Sequence, residues 1–563
     1  MKASKLRVMA CLLSSMLVLS LAACGGGGTQ STASSSGGAA SSKPASSAAA
    51  ASSEAPKAEE GDAPLTEITL PIVDEPITVR YWYPMSSSNL GQMKDYGDSE
   101  AYIELAKRTN INVEWIHPVG GTELETFNLL FASSDMPDIM FTSTEEGNKY
   151  MYASGPEAAV TDGYFLDLTE LVPMYAPNYS RLISDPAVGK HTVTDNSVRW
   201  GFNLIYQGVR QANFGPGIRQ DFLDKAGLDI PVTYDDWYEV LTAFKAMGVE
   251  APMYISPDGL SVTSEFLTGY DVGKAFYQVD GKVKYGPVED NFNEYLEMMK
   301  KWYAEGLIDQ SFSIRALYIP DDDLMLNDKV GSCDTFATWC GKAYYPSRGA
   351  VNPDFNLVGA PIPVKEEGQV THLRNPDLKV RSTVMVISAK TKYPTELVQW
   401  FDYQYSEEGA FLMSYGVQEG KDGSYYIEDG VPYWGTLITK NPDGLTQSEA
   451  RTRFSSFVPL NEDYGRIMRA RTPEQLAAHN IWTIETSKDD WTIPNSLTMS
   501  ADDNKKLAGV MGDINTYVQE TVVKMIMGTS NTSFEEFRKQ INAMGIQDAI
   551  DIYQAAMDRF ANR

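Results

Sequence analysis

The switching of hydrophobic period between residues 77 and 141 constrains this chain more than any other feature. Ile77, Val79, Tyr81 and Tyr83 recur at every second position, as in a strand, and Asp98 and Ser99 then offer caps to a helix carrying Tyr102, Leu105, Ala106 and Thr109. A second strand pattern follows at Ile111, Val113 and Trp115, a second helical face at Leu124, Phe127, Leu130 and Phe131, and a third strand at Asp138-Ile139-Met140-Phe141. A strand-helix-strand-helix-strand order makes a parallel sheet with helices on both faces the economical fold.

The middle of the chain uses the same grammar without repeating the sequence. Thr233-x-x-Asp236 is a variant of the capping box, and the helix it starts places Trp237, Val240, Leu241, Phe244 and Met247 on a core face. Asp280-Gly281, between Tyr277-Gln278-Val279 and Lys282-Val283-Lys284-Tyr285, reads as a hairpin turn, and Leu296, Met299, Trp302 and Tyr303 lie along the next helix. Near the end, Ser382 to Ser388 is a β-branched strand and Pro394 starts a helix; from Asp502 onward the pattern is helical to Phe560.

About 500 residues carry these patterns, too many for one simple domain, so two lobes are expected. The first would cover about 77–205 with part of 357–430, and the second about 215–345 with the C-terminal helices, all within a body of 65–563. The formal charge is −28, and it becomes −31 when Lys2, Lys5 and Arg7 are removed, which disfavours nucleic acid and anionic lipid headgroups as partners.

Those three basic residues open an N-terminal segment with its own logic. Val8 to Ala23 is an apolar run of about 16 residues, short of the roughly 20 that span a bilayer, and it ends in Leu21-Ala22-Ala23-Cys24-Gly25. This resembles the lipobox of bacterial lipoproteins, which implies that residues 1–23 are a signal peptide and that Cys24 is acylated at the start of the mature chain. Two acyl chains would anchor the protein without a span. Residues 24–64 are Gly, Ser, Ala, Thr and Pro with little to bury, a tether whose average reach is about 35 Å.

Of four cysteines, only Cys333 and Cys340 remain in the body. On one helix they would stand about 10 Å apart, so a disulfide needs a turn between them; the alternative is a pair of buried thiols. Two cysteines and four scattered histidines do not suggest zinc, and no metal or cofactor is expected. Motifs for a nucleophile elbow, a zinc protease, a phosphate loop or a dinucleotide fold are missing, and His117, His191, His372 and His479 offer few routes to His-based catalysis. The enzyme that sequence leaves open is a carbohydrate-active hydrolase using a carboxylate pair.

Four stretches carry a resemblance that spans the body: Ser133-Ser134-Asp135-Met136-Pro137-Asp138-Ile139; Leu166-Asp167-Leu168-Thr169 with Tyr175-Ala176-Pro177-Asn178; Ile218-Arg219-Gln220-Asp221 through Gly227-Leu228; and Thr516-Tyr517-Val518 through Asp558-Arg559-Phe560. In this order and spacing the chain resembles the extracellular solute-binding proteins of carbohydrate ABC importers, in their large lipoprotein subgroup. The resemblance implies a two-lobed periplasmic-binding-protein-like α/β fold of type II. It also implies a monomeric receptor on the extracytoplasmic face of the cell membrane, with an oligosaccharide or other polar solute and the importer's permease subunits as partners.

Ligands of open α/β sheets lie beyond the carboxyl ends of strands, and in a two-lobed body they lie between the lobes. That rule selects Trp82 and Ser86 after the first strand, Thr142, Ser143 and Glu145 after the third, and Arg219, Asp258, Asp334 and Trp339 in the second lobe, with Trp434 and Trp491 as further aromatics. Aromatic planes suit the C–H faces of a sugar, and carboxylates and guanidinium groups suit its hydroxyls. Each also has a plain structural role open to it: the tryptophans as core, and Arg219 with Asp221 as a salt bridge opening the next helix.

Overall fold

The computed structural model describes residues 63–85, 89, 91–133, 135–144, 150–208, 211–260, 265–315, 319–374, 378–456 and 458–563. Cys24, Ser86 and Glu145 lie outside them. Along the chain the strands are β1 (Ile77–Trp82), β2 (Ile111–Ile116), β3 (Ile139–Ser143) and β4 (Phe202–Gln207), then β5 (Phe214–Arg219), β6 (Ala251–Met253), β7 (Phe276–Val279), β8 (Lys282–Tyr285), β9 (Val330–Phe336) and β10 (Leu357–Gly359). They are followed by β11 (Val380–Ile387), β12 (Tyr425–Glu428), β13 (Val431–Trp434) and β14 (Asn461–Asp463).

Two main sheets form. The first has the order β14-β4-β11-β3-β1-β2 and the second β10-β5-β9-β6. In the first, β1 is parallel to β2 and β3, β14 is parallel to β4, and only β11 runs against its neighbours. In the second, β6 is parallel to β9 while β5 runs against both β9 and β10. The two reversed strands share an origin: β5 is the first strand after the chain leaves the first sheet, and β11 the first after it leaves the second.

Local chemistry explains the elements as the sequence suggests. Thr233 and Asp236 close a full capping box on the Tyr234–Ala246 helix, whose Trp237, Val240, Leu241 and Phe244 are buried. Met247, expected on that face, is instead the C-cap and is exposed. Asp280 and Gly281 take φ of 51° and 78°, the left-handed pair that a two-residue hairpin requires, and join β7 to β8. The C-terminal helices Ala501–Ile526, Phe534–Ala543 and Ile546–Ala561 belong to the second sheet's core through Ile514, Val522, Ile526, Phe537, Ile541 and Ala549. No described helix is long and apolar enough to cross a membrane.

The chain passes between the sheets three times. Residues 208–213 lead from β4 to β5, 360–379 lead from β10 to β11, and 470–472 link the Tyr464–Arg469 helix, which packs on β4 and β13, to the Pro473–Trp482 helix, which packs on β5 and β10. Glycines make that last packing possible. A Cβ on Gly215 would stand 2.7 Å from the Trp482 indole, and one on Gly359 would stand 2.9 Å from Ala478, so the helix lies directly on bare backbone.

Candidate functional site

Parallel pairing within each sheet fixes where the carboxyl ends fall. β1, β3, β4 and β14 end at the edge where β11 begins, and β6, β9 and β10 end at the edge where β5 begins. Hydrogen bonds bring the two edges together at the crossings. Tyr464 Oη donates to Gln211 O at 3.1 Å, Ala337 N to Asn213 O at 3.0 Å, and Gln475 Nε2 to Thr338 O at 2.8 Å. The strand carboxyl ends, the edge beyond which open α/β sheets bind ligands, thus lie next to one another in the two sheets.

In the second lobe three sequence candidates share this edge. Asp258 follows β6, is partly buried, and accepts from Leu260 N at 3.0 Å, which shapes the turn that presents it. Asp334 sits near the end of β9 and is 8% exposed. Both carboxylates act on Tyr295, whose phenol burial pushes well above the ordinary range. Trp339 closes the turn after β9, half-buried, edge-on to Phe336 at 5.1 Å and stacked on Tyr344 at 5.8 Å. Aromatic planes and carboxylates are the group types suited to a polyhydroxylated ring, and this edge of the second sheet carries both.

The other described candidates take structural roles. Trp82 is 1% exposed and packs on Phe127 and Tyr150 at 5.2 and 5.8 Å, because helices cover both faces of the parallel strands and each side of β1 meets a core. Thr142 and Ser143 are buried within β3, where Thr142 Oγ1 donates to Val384 O at 2.7 Å and Ser143 exchanges backbone hydrogen bonds with Tyr150. Arg219 is at the wrong end of its strand: β5 runs away from the crossing, so its last residue lies on the far edge. There the guanidinium is fully buried between Phe222 and Phe355, at 3.9 and 3.7 Å, and pairs with Asp221 and Asp328. Trp434 is 5% exposed, donates to Ser414 O, and lies between the guanidinia of Arg451 and Arg466, each 5.0 Å from its ring. Trp491 stacks on His372 at 4.2 Å beside the second lobe's core.

Cys333 and Cys340 are free thiols, a correction to the disulfide considered above. A turn does separate them, yet Cys333 packs with Tyr254, Tyr345 and Phe355 while Cys340 packs with Ala212, Ala478 and Trp482, in separate clusters. Burial pushes Cys340 up to about 12 and Cys333 well above the ordinary thiol range.

Sequence reasoning missed the residues of the crossings. Tyr206, Gln211, Asn213, Tyr464 and Arg471 come from segments about 250 positions apart, and nothing in their local pattern marks them. Arg471 Nη2 donates to Asn213 Oδ1 at 3.2 Å, and Tyr206 meets Tyr464 edge-on at 5.6 Å. His479 turns Nδ1 to Ala212 O at 2.7 Å, and burial lowers its pKa to about 4, so it is neutral here.

Two outcomes follow from these placements. Trp82→Ala should lower stability by about 3–5 kcal/mol, read as a shift in the urea midpoint; a shift under about 1 kcal/mol would contradict its place in the core. A chain beginning after Cys24 should present two titratable thiols in denaturant and neither when folded. Absence of thiols in denaturant would restore the disulfide.

Residues 92–411, more than half of the chain, match the family described as bacterial extracellular solute-binding protein. The fructooligosaccharide ABC transporter substrate-binding protein FusA of Streptococcus pneumoniae serotype 4 is 22% identical over 534 residues, 89% of this chain and 94% of FusA. Lipoprotein LipO of Bacillus subtilis is 24% identical over 410 residues, 69% of this chain and 75% of LipO. Among solved structures, alginate-binding protein AlgQ2 without calcium superposes with a TM-score of 0.69 at 22% identity, covering 88% of this chain and 100% of AlgQ2. FusA in complex with kestose gives 0.68 at 19% identity, covering 86% and 100%. These neighbours share the two-lobed periplasmic-binding-protein-like fold, and the chain belongs to the bacterial extracellular solute-binding protein family.

Proposed function

We propose that this chain is a lipid-anchored receptor that captures an oligosaccharide between its lobes and delivers it to the permease of an ABC importer. The observation that supports the reading is the shared edge, where the strand ends of two sheets are joined by three crossings and where Asp258, Asp334 and Trp339 stand at the second sheet's strand ends. FusA serves a fructooligosaccharide transporter and is similar along nearly the whole chain, which makes an oligosaccharide the class of solute to test first.

The mechanism is closure. Trp339 offers a plane to the C–H face of a sugar ring, and Asp258 and Asp334 accept from its hydroxyls. Contacts that the first lobe adds exist only when the lobes shut on the ligand, so binding shifts the population toward the closed form. The three crossings act as hinges, and the closed form presents both lobes to the permease. Cys24 and the tether hold the body beside the membrane at a reach of about 35 Å.

Thermal denaturation against a panel of mono- and oligosaccharides tests the reading, because a ligand of the folded state raises Tm by mass action. Trp339→Ala should weaken the best ligand by about five- to thirtyfold, a stacking loss of about 1–2 kcal/mol, with the melting transition intact. Unchanged affinity would confine Trp339 to its stack on Tyr344, and new reducing ends from the wild type would favour a hydrolase. For the anchor, Cys24→Ala should remove the lipid and leave the protein unprocessed or missing from the membrane fraction. A processed Cys24→Ala protein that still fractionates with membranes would overturn the lipobox reading.

A further inference from the structure

A concentration of positive charge that the rest of this acidic chain does not prepare for stands beside the third crossing. Arg451, Arg466 and Arg471 come together with Tyr206 and Glu462 at the ends of β4 and β14. Glu462, 3% exposed, is taken by Arg466, whose Nη2 and Nε donate to one carboxylate oxygen at 2.7 and 3.2 Å, and Arg451 stands 3.9 Å from the same oxygen. The neighbouring Asp463 is paired with Arg469. Arg451 and Arg466 thus stand at one buried carboxylate, with the guanidinium of Arg471 close by.

Arg471 is the member left without a counter-ion. Among the described residues no carboxylate lies within ion-pair distance of it; the one hydrogen bond of its side chain goes to the neutral amide of Asn213, and its buried Nε has no acceptor. Burial lowers its pKa. A largely buried, unpaired charge is costly and calls for a partner. The position explains which one: Arg471 lies in the third crossing, bonded to the first, beside the turn that carries Trp339 after β9, where the strand ends of both sheets meet.

We infer that Arg471 is a specificity-determining residue, and that the solute carries an acidic group, the carboxylate of a uronate-bearing oligosaccharide, which pairs with its guanidinium in the cleft. The inference rests on the receptor reading above. A guanidinium presents parallel donors that match a carboxylate, while Asn213, Gln211 and the tyrosines beside it offer neutral hydrogen-bonding groups for hydroxyls. The chain's −28 formal charge does not forbid an anion here, because repulsion from distant surface acids is screened over about 8 Å at physiological salt while a contact inside the cleft is not.

Calorimetry decides the matter with uronate-containing oligosaccharides (glucuronate, galacturonate, mannuronate and guluronate types), each set beside its carboxyl-reduced neutral counterpart. At least one acid is expected to bind about tenfold or more tighter than its neutral form, and Arg471→Gln should erase that preference while changing the neutral form's affinity by less than about threefold. Arg471→Lys, which keeps the charge but not the fork, should retain part of the preference and guards against a Gln variant that folds poorly. A neutral oligosaccharide that binds as well as every acid, or an acid preference that survives in Arg471→Gln, overturns the inference and leaves the receptor standing. Binding of nothing in either set overturns both.

Discussion

One indole holds the three crossings in register. Trp482, at the end of the helix that follows the third crossing, donates from Nε1 to Pro216 O, just past the first crossing, and to Ala360 O, where the second begins, each at 3.1 Å. The ring is 1% exposed and rests on the bare backbone of Gly215. A buried Trp of this kind contributes about 3–5 kcal/mol, and its shared donor ties Ala360 O to Pro216 O, which Ala360 N also reaches at 2.8 Å. The orientation of every strand that points toward the site depends on this junction, because β5 and β11 are reversed for the single reason that each starts there.

A second tie joins the lobes away from the crossings. Arg559 and Arg563, on and just past the last helix, both pair with Asp195, at 2.6 Å each, in the segment between 190 and 199 that packs with the first sheet's connections. Arg563 also donates to the carbonyls of Lys190, Val193 and Ser496. The C-terminal helices thus belong to the second lobe by their apolar face and reach the first by their final arginines. The proposed closure has to work around or through this contact as well as the crossings.

Local patterns were legible in proportion to how local their causes are. The Asp280-Gly281 turn, the Thr233 capping box and the order of the first three strands all follow from residues within a few positions of one another. Site residues were less legible. The period-two pattern of Ile77, Val79, Tyr81 and Tyr83 leaves Trp82 for the ligand side, but the sheet is covered on both faces and Tyr81 and Trp82 enter different cores. Arg219 follows a strand, as the carboxyl-end rule asks, yet that strand is the reversed one of its sheet. Asp258 and Trp339 follow strands that run the other way, and Asp334 lies near the end of one.

The sequence by itself determined the element types, the hairpin and helix starts, the division into two lobes and the family, because these rest on periodicity and on short-range hydrogen bonding. Only the tertiary structure decided which strands are reversed and therefore which strand ends face the site. It also decided that Cys333 and Cys340 part into separate clusters and that Arg471 lies against Asn213, 258 positions away. Those outcomes depend on pairing between segments that no local rule links, and on the burial that pairing imposes, so they exist only once the chain has crossed between its sheets three times.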